Sequence, residues 1–70
     1  MIVHCIPDCY KCVNLKNFLK YNKISYKVAN NSRNEGEFPQ ITEGKYRFIG
    51  FEQCIDYIEH KFGVKYVKNH

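Results

Sequence analysis

The chain alternates between short apolar segments and polar breaks, and the first third predicts a strand followed by a helix. Residues 1–5 form an apolar run with β-branched side chains, which is typical of a buried strand. Pro7 and Asp8 end this run, and Asp8 or Cys9 can cap a helix that begins near Tyr10. Four apolar side chains at spacings of three and four residues then define one helix face: Cys12, Leu15, Phe18 and Leu19.

The middle of the chain predicts three strands. Apolar and polar side chains alternate across residues 24–28, which favours a strand whose buried face carries Ile24, Tyr26 and Val28. Residues 29–37 are polar and aperiodic, so we predict a loop there. Two further apolar segments, residues 38–42 and residues 45–49, are separated by a tight turn at Glu43-Gly44. This arrangement predicts a hairpin.

The last predicted element is an amphipathic helix. Five apolar residues follow Gly50 at helical spacings, and we expect the last three of them in the core: Phe51, Cys54, Ile55, Ile58 and Phe62. Gly63 suits the residue after a helix, and residues 64–70 form a short basic tail. The order is therefore β-α-β-β-β-α. A parallel crossover followed by a hairpin predicts an α/β fold with a four-stranded mixed sheet and two main helices.

Composition narrows the functional classes. Seventy residues correspond to one domain, residues 1–70, and a hydrophobic fraction of 44% argues against disorder. The net charge of +4 is spread without a run of like charges, so nucleic-acid binding is not indicated. We see no signal-peptide pattern and no apolar run of about 20 residues, so we expect a cytoplasmic protein without a membrane span. A monomer is the default expectation for its oligomeric state. Four cysteines in a reducing compartment indicate redox or metal chemistry rather than structural disulfides.

The segment Cys9-Tyr10-Lys11-Cys12 is a C-x-x-C motif at the predicted strand-to-helix junction. Unpaired N–H groups and the dipole at a helix start stabilise a thiolate, and Lys11 adds positive charge nearby. Cys9 would attack a substrate disulfide, and Cys12, about one turn later, would resolve the mixed disulfide. Tyr10 is placed to cover the thiol pair and contact a substrate. The motif therefore predicts a thiol–disulfide oxidoreductase.

Two alternatives remain open. Cys5, Cys9 and Cys12 lie close in sequence, and His4 or Cys54 could complete a zinc or iron–sulfur site. However, the chain has a single C-x-x-C pair, and Cys5 and Cys54 fit equally well as small buried apolar residues. The other alternative is a non-catalytic interaction protein built on the same scaffold.

Taken together, these segments resemble the glutaredoxin family, which has the thioredoxin fold. The resemblance covers about residues 1–60 and rests on the first strand, the Cys9–Cys12 motif, Phe38-Pro39-Gln40-Ile41 and Gly50-Phe51-Glu52. It implies that Pro39 follows a cis peptide bond and that the Phe38 backbone pairs with a bound thiol peptide. It also implies a minimal thioredoxin-like fold in which the predicted substrate or glutathione contacts are Tyr10, Lys11, Phe38, Pro39, Gly50, Phe51 and Glu52.

The resemblance also implies partners. They are disulfide-containing protein substrates, with ribonucleotide reductase as one example, and either glutathione or thioredoxin reductase as the electron donor. It implies no bound cofactor and no metal ligand, with glutathione as a possible reductant. The chain departs from the family pattern at Ile6, where a lysine is common, and at Ile49, where the first of two glycines usually stands. These departures leave the electron donor open.

Overall fold

The computed structural model describes residues 1–30 and 36–67, and within these ranges it contains four strands and two helices. The elements are β1 (Ile2–Cys5), α1 (Tyr10–Tyr21), β2 (Lys27–Asn30), β3 (Gln40–Glu43), β4 (Tyr46–Ile49) and α2 (Phe51–Phe62). The predicted order β-α-β-β-β-α and the α/β class with a four-stranded mixed sheet are confirmed.

The sheet brings the starts of both helices to one end. Its strand order is β2-β1-β3-β4, with β1 parallel to β2 and antiparallel to β3, and with β3 antiparallel to β4. The strands β1 and β4 therefore run in the same direction. Gln40 pairs with His4 on one side and with Ile49 on the other, so β1 and β4 also finish level with each other. Because α1 follows β1 and α2 follows β4, both helices begin at this end of the sheet.

The core joins the two central strands to the two helices. Five aliphatic side chains have no exposed surface: Val3, Leu15, Leu19, Ile41 and Ile58. Each buried aliphatic side chain of this size contributes about 1.5–3 kcal/mol relative to an exposed one. The predicted apolar faces of both helices are therefore confirmed over most of their length. The helices also contact each other.

The second strand lies later in the chain than predicted. It begins at Lys27, whose backbone N–H donates to the Met1 carbonyl at 3.0 Å, and it runs into the predicted loop as far as Asn30. Residues 22–26 are needed to turn the chain back from α1, and Lys23 adopts a positive φ of 57° within that turn. Val28 is 44% exposed, so the predicted burial of Val28 is wrong. The reason is that β2 is an edge strand; residues 31–35 of the predicted loop lie outside the described residues.

The second helix ends as predicted, but its last apolar residue does not belong to the core. Gly63 has a left-handed conformation with φ 67°, and its N–H donates to the Glu59 carbonyl at 2.9 Å. Phe62 is 41% exposed, because it lies at the end of the helix beside the exposed side chain of Lys61. Of the predicted tail, residues 68–70 lie outside the described range. Neither helix in the described part of the chain is long and apolar enough to cross a lipid bilayer.

Candidate active site

Cys9 is the N-cap residue of α1. It has an extended backbone (φ −113°, ψ 100°), and its Sγ accepts a hydrogen bond from the Cys12 backbone N–H at 3.2 Å. An oxygen of Ser, Thr, Asp or Asn usually fills this position, so a thiol here gives up some capping strength. The preceding residue, Asp8, has a positive φ of 58°, a conformation that aspartate tolerates better than most residues. This turn holds the Cys9 sulfur at the positive end of the helix dipole.

The two cysteines of the motif have different environments. Cys9 is partly exposed, whereas Cys12 is 2% exposed and faces the core. Burial, together with a hydrogen bond to Cys9, raises the pKa of the Cys12 thiol to about 12. At neutral pH Cys12 is therefore a protonated thiol. The first turn of α1 contains Lys11 and no acidic residue, so the charged side chain in this turn is a positive one.

The cysteine pair opens onto a shallow surface depression, which we call the thiol hollow. It is lined by Cys9 and Cys12 together with the segment that leads into them and the next turn of α1: Cys5, Ile6, Pro7, Asp8, Tyr10, Val13, Lys16 and Asn30. Tyr10 is 72% exposed, so its ring is available to a ligand rather than held in the core. A disulfide could therefore approach Cys9 from solvent.

The start of α2 is built on a glycine. Gly50 is the N-cap residue and has φ 91° and ψ 158°, a region that essentially only glycine adopts. Its N–H donates to the Pro39 carbonyl at 3.0 Å, and the neighbouring Ile49 N–H donates to Gln53 Oε1 at 3.1 Å. A Cβ added at Gly50 would lie 2.6 Å from Glu37 Oε2. The Glu37 carboxylate therefore lies directly against the first residue of this helix start.

Pro39 joins the sheet to the start of α2. The Phe38–Pro39 peptide bond is cis, as the resemblance implied. Besides accepting from Gly50, the Pro39 carbonyl accepts from the Cys54 thiol at 3.5 Å. Pro39 is buried and Phe38 packs partly against the core. The Pro39 carbonyl therefore holds the start of α2, and neither Phe38 nor Pro39 lines the thiol hollow.

Five of the predicted contact residues meet in a groove between the two helix starts, which we call the interhelical groove. Tyr10 and Lys11 line it from α1, and Gly50, Phe51 and Glu52 line it from α2. Tyr10 borders both the interhelical groove and the thiol hollow, so the two surfaces adjoin at the redox pair. The sheet therefore brings together residues about 40 positions apart in sequence. Phe38 and Pro39 are not among the residues that line the groove.

The groove contains residues that the sequence did not single out. They come from α1, from the segment before Pro39, from α2 and from the chain after it: Asn14, Glu37, Asp56, Glu59 and Tyr66. The spacing of Glu52, Asp56 and Glu59 by four and three residues would have placed them on one helix face. The sequence offered no such signal for Glu37. Tyr66 packs edge-on against Phe51 and Phe18, with ring centroids 5.3 and 5.2 Å apart, and closes one side of the groove.

The remaining cysteines are buried, as one of the two interpretations of the sequence predicted. Cys5 is 3% exposed and Cys54 is fully buried, and burial raises the pKa of the Cys54 thiol to about 12. His4 Nε2 lies 2.9 Å from Thr42 Oγ1 on the neighbouring strand. Across residues 1–30 and 36–67, no three His, Cys, Asp or Glu side chains are grouped so that they could hold a metal ion. All four cysteines are free thiols.

This arrangement has a defined chemical capacity. An accessible sulfur at a helix start and a buried thiol one turn later can exchange between the dithiol and the disulfide state with a partner disulfide. Comparison of the chain with models of protein families, with curated proteins and with solved structures finds no match. The functional argument therefore depends on the residues and geometry of the site.

Proposed function

We propose that this chain is a small dithiol–disulfide oxidoreductase of the glutaredoxin type, in which Cys9 is the nucleophile and Cys12 the resolving cysteine. The observation that carries the proposal is the asymmetry of the pair. The Cys9 sulfur caps α1 and is accessible, while Cys12 is buried one turn later, and its backbone N–H contacts the Cys9 sulfur at 3.2 Å. A nucleophilic cysteine must be reachable by the substrate and react as a thiolate. A resolving thiol must lie close to the nucleophile and be shielded from solvent.

The reaction follows from this geometry. The Cys9 thiolate attacks one sulfur of a substrate disulfide, forms a mixed disulfide and releases the first substrate thiolate, which takes a proton from solvent. Cys12 then loses its proton to a solvent base and attacks Cys9, which forms the Cys9–Cys12 disulfide and releases the second substrate thiol. The substrate gains two electrons and two protons, and the protein loses two electrons and the Cys12 proton, so one further proton is taken from solvent overall because Cys9 starts as a thiolate.

The raised pKa of Cys12 is compatible with this sequence of steps. Part of that increase comes from the hydrogen bond and the charge of Cys9. Once Cys9 is covalently bound to a substrate sulfur, its negative charge is gone, so the contribution of Cys9 to the Cys12 pKa disappears. Cys12 is therefore a poor nucleophile in the free protein and becomes a better one in the mixed disulfide. This order prevents both sulfurs from competing for one substrate.

The scaffold supports the same assignment. A four-stranded mixed sheet with the element order β-α-β-β-β-α and a C-x-x-C motif at the start of the helix after β1 are features that the resemblance to glutaredoxins implies. We propose a minimal thioredoxin-like fold on this basis. The electron donor would be glutathione or thioredoxin reductase, and the substrates would be protein disulfides or mixed disulfides with glutathione.

The test uses the pre-reduced protein and a peptide disulfide, with product thiol measured over time. Replacing Cys9 by serine should abolish reduction, a loss of about a thousandfold or more, because no sulfur remains at the helix start. Serine is itself a good N-cap residue, so the Cys9→Ser protein should remain folded. Cys12→Ser should retain the first attack and accumulate a mixed disulfide, visible by mass spectrometry as protein plus one peptide.

The buried Cys54 provides the matched control. Cys54→Ala removes a thiol that does not line the thiol hollow, and this variant should reduce the disulfide at the wild-type rate per folded molecule. Full activity in Cys9→Ser would contradict the proposal. A tightly bound zinc ion or iron–sulfur cluster, found by elemental analysis of the protein as purified, would favour the metal-binding alternative instead.

A further inference from the structure

The interhelical groove is acidic, although the chain as a whole is basic. Within residues 1–30 and 36–67 there are six carboxylate side chains, and four of them line this groove: Glu37, Glu52, Asp56 and Glu59. The same ranges contain nine lysine and arginine side chains, of which one, Lys11, lines the groove. The carboxylates are thus concentrated on one side of the proposed redox pair, while the net charge of the chain is +4.

Glu37 occupies the position that matters most within this groove. Its Oε2 lies 2.6 Å from where a Cβ on Gly50, the N-cap residue of α2, would be. A helix start attracts negative charge through its free N–H groups and its dipole. Here a carboxylate of the chain itself already lies against that start, so an anionic group on a substrate would meet a negative charge instead of an open anion site.

We propose that the interhelical groove selects disulfides carried on cationic peptide segments and disfavours anionic disulfides, with Glu37 as the residue that sets this preference. This inference rests on the proposed function, since it names the substrate class for the same cysteine pair. The groove reaches the pair through Tyr10, which lines both surfaces. Lysine or arginine side chains beside a substrate disulfide would therefore lie along the carboxylates while the sulfur approaches Cys9.

The carboxylates of the groove act more strongly on a bound substrate than the net positive charge of the chain does. Charges separated by more than about 10 Å are largely screened at an ionic strength of about 0.1 M. The positive charges elsewhere on the surface therefore act weakly on a substrate that is already at the groove. The carboxylates that line the groove act at closer range, and a concave surface strengthens their effect. The preference should accordingly weaken as salt is added.

The experiment compares three symmetrical peptide disulfides that are identical except for the residues flanking the cysteine, which are lysine, glutamine or glutamate. Each is mixed in excess with pre-reduced protein, and the single-turnover rate is divided by the rate of the same disulfide with the neutral dithiol dithiothreitol. This division removes differences in the intrinsic reactivity of the peptides. We expect the normalised rate to fall from lysine through glutamine to glutamate by about tenfold in total at low salt. The range should shrink to about threefold or less at about 0.5 M salt.

A pair of variants tests the assignment to Glu37. Glu37→Gln removes one negative charge from the groove and should reduce the lysine-to-glutamate rate ratio by about two- to threefold. Ser25→Lys makes the same change in net charge at an exposed site after the end of α1, which is about 18 Å from its start. This control should leave the ratio unchanged. An equal fall of the ratio in both variants would attribute the preference to net charge and contradict a role for Glu37.

The outcomes separate the inference from the proposed function. If the protein reduces all three disulfides with equal normalised rates, the oxidoreductase proposal stands and the charge preference is wrong. A faster reaction with the glutamate peptide would overturn the preference in the same way. If the protein reduces none of the three while dithiothreitol reduces them all, the proposed function itself fails.

Discussion

The two helix starts lie at the same end of the sheet, but they differ in the residue that caps them and in the charged side chains nearby. Each helix has twelve residues and is the next element after a strand, with residues 6–9 between β1 and α1 and Gly50 between β4 and α2. The start of α1 carries a cysteine whose sulfur accepts the N–H of Cys12, whereas the start of α2 carries a glycine without a side-chain cap. At α1 the first turn has Lys11 and no acid, while at α2 it has Glu52, with Glu37 lying against Gly50.

The difference shows how one backbone feature can serve two purposes. Both helix starts offer free N–H groups and a positive dipole end. At α1 the Cys9 sulfur accepts from one of these N–H groups, and the surface around it is open. At α2 the Glu37 carboxylate lies against the capping Gly50, and the glycine leaves room for it because it has no Cβ. This difference agrees with our proposals that the start of α1 carries the nucleophile and that the start of α2 lines the groove that selects the substrate.

The largest expected effect is the difference in reactivity between Cys9, at the start of α1, and the buried thiols of Cys12 and Cys54. With the folded, reduced protein at about pH 8, iodoacetamide should alkylate Cys9 at least about 100-fold faster than Cys12 or Cys54. The reason is that burial raises the pKa of both latter thiols to about 12, so about one molecule in ten thousand carries either thiolate at that pH. Peptide mapping of quenched samples gives the three rates.

The control for this measurement is the unfolded chain. In concentrated guanidinium chloride all four cysteines should react at similar rates, because burial and the helix no longer distinguish them. Equal alkylation rates for Cys9 and Cys12 in the folded protein would contradict the proposed contrast between an accessible and a protected sulfur.

The second effect concerns the glycine at the start of α2. Gly50→Ala should lower the free energy of unfolding by about 3 kcal/mol, since alanine is strained at φ 91° and ψ 158° and its Cβ would meet Glu37. Gly44→Ala is the matched control, because Gly44 also has a positive φ of 59° but no atom within 4 Å of its added Cβ. That variant should lose about 1 kcal/mol. Urea denaturation measures both, and equal losses would show that the close approach at Gly50 is unimportant.

The smallest expected effect concerns an ion pair that contributes to global stability but lies away from both helix starts. At the far end of α2, Lys61 Nζ lies 2.6 Å from Glu43 Oε1, and this hydrogen bond, with that of the Met1 ammonium, lowers the pKa of Glu43 from 4.5 to about 2. A lowered carboxyl pKa stabilises the fold above pH 4.5, and this contribution is lost as the pH falls towards 2. Glu43→Gln should therefore make the decline of stability over this range shallower in acid titrations followed by circular dichroism.

The same variant sharpens the comparison between the helix starts. The Glu43→Gln protein should keep the wild-type ratio of Cys9 to Cys12 alkylation near neutral pH, because the Glu43–Lys61 pair lies away from both helix starts. A changed ratio would mean that the protection of Cys12 depends on the stability of the whole fold rather than on its local burial.

The sequence determined the elements whose pattern is local. The periodicity of α1 and α2, the strand before Cys9, the hairpin and the glycine after α2 were all predicted, because burial of one face of a helix or strand leaves its mark at fixed spacings. The position of Cys9 at a helix start was predicted for the same reason. The second strand was predicted three residues too early at its start and two at its end, since its bounds depend on the register with β1 and not on its own alternation.

Only the tertiary structure decided how these parts form a site. The pairing of Gln40 with both His4 and Ile49 brings the two helix starts together, and no local pattern contains that information. The exposure of Val28 and Phe62 likewise depends on which surfaces other elements cover. Glu37 belongs to an aperiodic polar segment, so its place against Gly50 could be known only from the folded chain. The sequence thus predicted the redox pair Cys9 and Cys12, and the fold supplied the acidic groove beside it.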